Sequence, residues 1–533
     1  MDGSLSPQPH DHRVRPHPAR SSRFIFPLAS LWFIALGLTG PITFAAIEPP
    51  AQPAPAAATP PTPPPAAPAA TDAAPLRYSG EIDVRGSKLG FVVILTPGPI
   101  ARATIAIPMQ GLPQTLLDDV SADGPTWRFT LKPPKAPPEA FAKFEIVIAA
   151  DQATASGTLK QMEQAFPVSM RRLASGETAE PKRPQNPIAP FPYDAREVKF
   201  INPQDNAEFA GTLTLPRATA ANPAPFPAAI LITGSGTQDR DESLLGHRPF
   251  LVLADHLTRA GIAVLRIDDR GYGSLKDPQS GEGDTRTFAG DITSALEFLQ
   301  TQPEIDRARI GLIGHSEGGL IAPMVASERK DVAFIVLLAG PGVPGDEILR
   351  AQQLAIFKAA SAPENLLPAL IDSQRELMDA AKSDDSARLE RAADALIDAQ
   401  AKLPATPAMT DAERVTARNG VIKTMTSAWM RTFIRLDPRD ALSRVSCPVL
   451  AINGSLDLQV LPAQNIPEIV SALARGKCTD ITALVMPGLN HLFQPATTGG
   501  PQEYSTIETT IDPKVLAIVS RWVNERTAKP AKD

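Results

Sequence analysis

The sequence predicts an α/β protein: a doubly wound, mainly parallel sheet with a helical lid insertion, preceded by a small all-β domain. Three observations predict it. From Ala195 onward, continuous apolar runs alternate with amphipathic stretches, the pattern of a sheet covered on both faces. Between about 346 and 436 that rhythm breaks into helix-patterned sequence alone. From 76 to 173 the chain holds short runs rich in Val, Ile, Phe and Thr, punctuated by Gly, Pro and Asp.

The chain has 533 residues, room for two or three domains. At its start, Arg13, Arg15, Arg20 and Arg23 precede the apolar run Phe24 to Leu38, and Thr43 and Ala45 fit a small-x-small cleavage site. Residues 1–45 therefore read as a secretory signal cut near Ala45, which places the protein in the periplasm or outside the cell. The alternative is an uncleaved anchor, but about 15 apolar residues is short for a span. Residues 46–75 form a linker; from Pro49 to Pro75 it holds 11 Pro and 11 Ala. Such a segment cannot bury a core and is expected to be a semi-rigid spacer.

Within 76–173 the predicted strands are "YSGEIDV", "LGFVVILT", "ARATIAI", "TWRFTL", "FEIVIA" and "ASGTLK". They suit a barrel or sandwich. The segment contains no His and no Cys, and contact with an envelope component, a glycan or a partner is the role left open to it. A second Pro-rich join, "EPKRPQNPIAPFPYD", spans residues 174–194 together with its flanks.

The domain over 195–533 begins with the strand "AAILIT" and the helix "FLVLADHLTRAG". "IAVLRID" and the helix "FAGDITSALEFLQ" follow, then "RIGLIG" with a helix from Ser316, then "AFIVLLAG". In the insertion, Leu389, Ala393, Leu396 and Ile397 recur at helical spacing. The alternation resumes with "PVLAING", "IPEIVSALARG", "ITALVM" and "PKVLAIVSRWV". A helical insertion late in a parallel sheet suits a lid; a packing-only insertion is the plainer alternative.

Net charge of −6 and 5% aromatic residues argue against nucleic-acid binding. There is no H-E-x-x-H, no cysteine knuckle and no histidine cluster, so neither a metal nor another cofactor is expected. The two cysteines, Cys447 and Cys478, precede the strands "PVLAING" and "ITALVM". Parallel pairing of those strands would bring them together, either bridged or as two free thiols.

The stretch "RIGLIGHSEGGL", Arg309 to Leu320, places Ser316 between Gly314 and Gly318. G-x-S-x-G alone is a modest signal. Between an apolar strand and a helix it reads as a sharp turn that lifts the Ser316 hydroxyl above the strands' carboxyl ends. A serine nucleophile needs a base. Of His247, His256, His315 and His491, the last sits just past the strand "ITALVM", in "MPGLNHLFQ". His315 adjoins the nucleophile and should diverge from it; His256 lies within a helix; His247 suits wall building. The orienting carboxylate is Asp457, in "PVLAINGSLDLQV"; Asp437, Asp440 and Asp480 fall at the wrong ends of their strands. The backbone N–H groups of Glu317 and Ser235, the latter in "GSGTQDRDE", are the expected oxyanion donors.

These stretches, with "GHRPFLVLADHLTRAGIAVLRIDDRGYGS" and the "RPQNP…PFPY" join, resemble the α/β-hydrolase family, more narrowly its bacterial secreted EstD-like esterases, filed with serine aminopeptidase-type hydrolases. The resemblance implies cofactor-free hydrolysis of a small-molecule carboxylic ester, of short to medium acyl chain. Thr233 departs from it: many relatives of the wider fold carry His before the oxyanion glycine. Two other readings compete. A peptidase or amidase could use the same triad, with Arg240 or Glu242 as a charge anchor for a peptide terminus. A non-catalytic envelope binding module would make the three matching residues coincidental. Asp268, Asp269 and Arg270 are expected to form ion pairs that hold loops, and Arg240, Asp241 and Glu242 likewise.

Overall fold

The computed structural model describes residues 74–528, except 85–86, 108–111, 133–140, 162–163, 175–176, 178–182, 221, 273–282, 384, 404–405 and 407–408. The expected signal segment and nearly all of the Pro/Ala linker lie outside the described residues. No helix among those described is long and apolar enough to cross a membrane.

Nine antiparallel strands fill the first unit: β1 (Leu76–Val84), β2 (Ser87–Thr96), β3 (Arg102–Ile107), β4 (Leu112–Leu116), β5 (Asp118–Asp123), β6 (Thr126–Leu131), β7 (Ala142–Ile148), β8 (Thr154–Gln161) and β9 (Gln164–Arg172). Their order is β4-β3-β2-β1-β9-β8-β7-β6-β5. β4 and β5 are joined by Leu117 alone yet stand at opposite ends of that order, so the sheet curls back on itself. The Leu117 N–H closes the seam by donating to the Ala103 carbonyl at 2.9 Å. This is a nearly closed barrel. Alternate residues point inward, as in β7, and Tyr78, Phe91, Phe129, Phe144 and Leu159 fill the interior.

The second sheet has eight strands in the order β10-β11-β13-β12-β14-β15-β16-β17. β10 (Asp194–Ile201) and β11 (Glu208–Leu215) form an antiparallel edge hairpin. The remaining six are mutually parallel: β12 (Phe226–Ile232), β13 (Ala263–Ile267), β14 (Ile305–His315), β15 (Ile335–Leu338), β16 (Val449–Gly454) and β17 (Ile481–Met486). Because side chains alternate, β12 sends Ala228, Ile230 and Ile232 into one core and Ala229 and Leu231 into the other. Helices α1 (Pro249–Arg259) and α11 (Pro513–Thr527) cover one face. α2 (Thr285–Gln300), α3 (Gly318–Glu328) and α10 (Pro462–Arg475) cover the other.

Between β15 and β16 the chain is helical: α4 (Gly345–Ala359), α5 (Leu367–Lys382), α6 (Ser386–Gln400), α7 (Asp411–Thr426), α8 (Ala428–Phe433) and α9 (Pro438–Leu442). Leu377, Leu389, Ala393, Leu396, Met430 and Phe433 build a core of their own, and it rests on Leu320 of α3. Cys447 and Cys478 do lie side by side, but as free thiols, with Cys478 Sγ 3.2 Å from the Cys447 carbonyl.

The second Pro-rich join is more than a spacer. Arg183 Nη1 donates to the Ile507 carbonyl at 2.7 Å, and Nη2 donates to Leu245 and Ser505 at 2.8 and 3.1 Å. Gln185 donates to the Ile511 carbonyl at 2.7 Å and accepts from the N–H groups of Thr510 and Ile511 at 2.6 and 3.0 Å. From inside, buried His247 takes the Thr510 hydroxyl at 2.8 Å and reaches the Tyr504 carbonyl at 3.1 Å. The join and His247 thus grip residues 504–511, the segment that leads from His491 to α11.

Arg183→Ala strips charged donors from three backbone carbonyls and should lower unfolding free energy by about 2 kcal/mol or more in urea titrations of the full chain. Burial holds His247 down at about pH 4, against an ordinary 6.5. The unfolded chain therefore binds more protons across that window, and this part of the stability, present above 6.5, is lost as pH falls through 4. The residue should contribute about 3 kcal/mol to the drop. Denaturation midpoints measured across that range should flatten in His247→Gln.

Candidate active site

Ser316 sits between β14 and α3 with φ of +53°, the left-handed region that a residue with a Cβ rarely adopts. Glycines make the turn possible. A methyl group on Gly314 would overlap the Gly318 carbonyl, and one on Gly318 would overlap the Ile232 carbonyl at the end of β12. The Ser316 N–H donates to the Leu338 carbonyl at 2.9 Å, which pins the turn to β15. The result is a serine raised at the carboxyl ends of the parallel strands.

His491 and Asp457 come to the same rim. Asp457 follows β16 and His491 follows β17; both are buried, and His491 Nδ1 lies 2.8 Å from Asp457 Oδ2. The other oxygen, Oδ1, accepts from the N–H groups of Gln459 and Val460 at 2.7 and 2.9 Å, so the carboxylate cannot swing away. Among the described residues, the Ser316 hydroxyl makes no hydrogen bond of its own. The tie from its turn to the histidine loop runs through His315, whose Nε2 lies 3.1 Å from the His491 carbonyl.

The loop after β12 passes directly over the serine: a Cβ on Gly234 would sit 3.3 Å from Ser316 Cβ. The Gly234 N–H is taken, donating to Glu242 Oε1 at 2.9 Å. The N–H groups of Ser235 and Glu317, the two expected oxyanion donors, donate to nothing among the described residues. Glu317 adds a feature that the sequence does not reveal. Its side chain is buried and accepts from Thr285 Oγ1 at 2.7 Å and from the Trp429 indole N–H of α8 at 2.9 and 3.0 Å. Burial raises this carboxyl above the usual range, against the pull of donors on Ser235, Thr285 and Trp429.

The loop acids behave mostly as expected. Arg240 grips Asp268 with two nitrogens, at 3.0 and 2.6 Å, and also meets Glu197 and Thr212. Arg270 pairs with Asp291 and Asp205, and Asp241 with Arg266. Asp269 departs from the expectation. Among the described residues it makes no ion pair and instead accepts from Thr233 Oγ1 at 2.6 Å and the Gln238 N–H at 2.8 Å. Thr233, where many relatives of the wider fold carry histidine, thus anchors the start of the loop after β12. Glu242 finds its partners inside the rim: it accepts from the Gly234 N–H and lies 2.8 Å from His315 Nδ1. His256 bonds Ser520 Oγ at 3.1 Å, a packing contact between α1 and α11.

The residues that sequence reasoning passed over share one property. Glu242 meets His315 across 73 positions, and Trp429 meets Glu317 across 112. No local spacing records either pair. The available signal was burial in prospect: a Glu and a His beside glycine-rich turns, where a lone charge would be costly.

Residues 248–494 match the model of the family described as serine aminopeptidase, S33. The chain is 25% identical to esterase EstD of Thermotoga maritima over 315 residues, covering 59% of this chain and 65% of that one. It is 32% identical to an uncharacterized protein of Mycobacterium tuberculosis over 108 residues, 20% of this chain and 34% of that protein. The chain thus spans less than two thirds of the length of these relatives. Among solved structures it is similar to Est1E from Butyrivibrio proteoclasticus, at 15% identity and a TM-score of 0.33, over 63% of this chain and 99% of that one. With a parallel sheet of this order, a serine turn after β14 and the family match across its centre, the second unit has the α/β-hydrolase fold, and the chain is similar to EstD-like hydrolases.

Proposed function

We propose that this protein hydrolyses small-molecule carboxylic esters, of short to medium acyl chain, by two-step acyl transfer on Ser316, His491 and Asp457. The observation that carries the reading is Ser316 itself, held at φ +53° against Gly234 while the buried His491–Asp457 pair stands on the same rim. Ser316 Oγ attacks the ester carbonyl carbon and His491 Nε2 takes its proton. Asp457 keeps the His491 Nδ1–H pointing inward and stabilises the imidazolium. The two unengaged N–H groups, on Ser235 and Glu317, receive the oxyanion. His491 returns the proton to the leaving alcohol. It then deprotonates water, whose oxygen attacks the acyl-enzyme and frees the acid and Ser316.

The family description favours a second reading, amide hydrolysis. A peptide terminus would need a charge anchor, and both sequence candidates are spoken for: Arg240 by Asp268 and Glu197, Glu242 by Gly234 and His315. Ester cleavage needs no such anchor. Export through residues 1–45 belongs to the same proposal and suits an enzyme acting on external esters.

Ser316→Ala should lower kcat on p-nitrophenyl esters by about 10⁴–10⁶-fold, and Asp457→Asn by about 10³–10⁴-fold. Undiminished turnover in Ser316→Ala would remove the nucleophile from this account. Parallel assays across acyl lengths and on aminoacyl anilides should favour esters; preference for the anilides would replace ester with amide cleavage.

A further inference from the structure

A second histidine–carboxylate pair lies inside the catalytic rim, unused by the mechanism above. Glu242 Oε1 accepts from the Gly234 N–H at 2.9 Å and stands 2.8 Å from His315 Nδ1. The other nitrogen of that ring, Nε2, is 3.1 Å from the His491 carbonyl oxygen. One unbroken path of hydrogen bonds therefore joins three loops. It starts beside the oxyanion donor Ser235, crosses the end of β14 next to Ser316, and ends on the backbone of the general base.

We propose that Glu242 and His315 are positioning residues: a buried carboxylate–imidazolium pair that fixes the oxyanion loop and the catalytic-histidine loop to each other. The inference rests on the ester-hydrolase reading for what is positioned, though not for the pair itself.

The protonation follows from the partners. A backbone carbonyl oxygen can only accept, so Nε2 must donate to His491. An ionised Glu242 can only accept, from the Gly234 N–H and from Nδ1 as well. A ring that donates from both nitrogens is an imidazolium. Burial alone would lower the pKa of His315, but the charge and hydrogen bond of Glu242 outweigh it and raise the group. The charged groups that face the ring are Glu242, from the loop after β12, and Asp457, from the loop after β16. The His315 and His491 rings also touch, with centroids 4.8 Å apart and planes at 45°. A shift of His315 thus moves His491 through two contacts, one to its backbone and one to its ring.

The test measures kcat and KM of the full chain on p-nitrophenyl butyrate, with Glu242→Gln, His315→Gln and the double variant. Glutamine at 242 can still accept from Gly234 but no longer balances an imidazolium, so the ring keeps one N–H for two oxygens. Each single variant should lose about 10- to 100-fold in kcat with KM within about threefold, because misplacement acts on the transition state. The double variant should lie within about threefold of the worse single one, since both break one path. Folded single variants with kcat within about twofold of the parent, or losses that multiply, would overturn the proposal.

Should a variant fail to fold, the parent protein still decides. In a ¹⁵N-histidine spectrum at pH 8, one ring should carry protons on both nitrogens, while His247, held down at about pH 4, is neutral. No doubly protonated ring at that pH would overturn the pair. Ser316→Ala is run alongside. If that variant hydrolyses the ester like the parent, the ester-hydrolase reading fails, and the nitrogen spectrum still tests the pair.

Discussion

Everything at this rim depends on one backbone conformation, the left-handed turn at Ser316. Holding a residue with a Cβ there costs on the order of 1–2 kcal/mol, and a turn left to itself would relax. It cannot relax here, because backbone meets backbone on every side. Gly318 abuts the end of β12, Gly319 abuts Gly340 beyond β15, and the Ser316 N–H is held by Leu338. The strain is thus balanced by the packing of the central parallel strands. That places the hydroxyl above the sheet without any side chain having to support it.

The turn has a second consequence, which is electrostatic. Close backbone packing crowds the rim, where Glu242 and Glu317 are buried and Asp269 is half-buried. Carboxyl groups in such a place are tolerable only when hydrogen-bonded. Each is: Asp269 by Thr233 and Gln238, Glu317 by Thr285 and Trp429, Glu242 by Gly234 and His315. Burial pushes Asp269 up to about 8 even so. The bonds of Asp269 and the Gly234 bond of Glu242 end on the loop after β12, and those of Glu317 tie the serine turn to α2 and α8. The network therefore satisfies its own desolvation cost and immobilises the loop by the same contacts.

Much of the architecture was legible because burial leaves a pattern in sequence. β12, β13, β15 and β16, with β14 from Ile310 on, are buried on both faces and read as continuous apolar runs, and the triad candidates fall just past the ends of such runs or of the half-buried edge strand β17. What escaped was structure with one wet face or none of its own periodicity. β10, "DAREVKFI", is an exposed edge strand whose charges hide it and also guard the edge. β5, "DDVSAD", is almost wholly exposed. β9 contains Pro167, which argues against a strand; in the structure its pairing with β1 ends at Val168, so the missing N–H costs no bond on that side. The triad candidates could be named from strand ends, but the Glu242–His315 contact could not. Both members look like ordinary loop and strand-end residues until the fold brings them together.

The segments that do not belong to the sheet are also tied directly to the rim that holds Ser316 and His491. The join carrying Arg183 and Gln185 grips the chain just beyond His491, and the helical insertion reaches the elbow itself. The second contact is the more telling. Beyond packing on the core of the insertion, Trp429 binds, through its indole N–H, the carboxyl of Glu317, directly after Ser316 in the chain. Trp429 is held in turn by stacking on Phe433 at 5.2 Å, and Thr432 Oγ1 binds Asp284 at the start of α2 with a 2.6 Å bond. Withdrawal of α8 would therefore leave a buried carboxyl short of a donor immediately beside the oxyanion site. An insertion attached in this way favours one seated position, and the penalty for leaving it falls on the residue that adjoins Ser316.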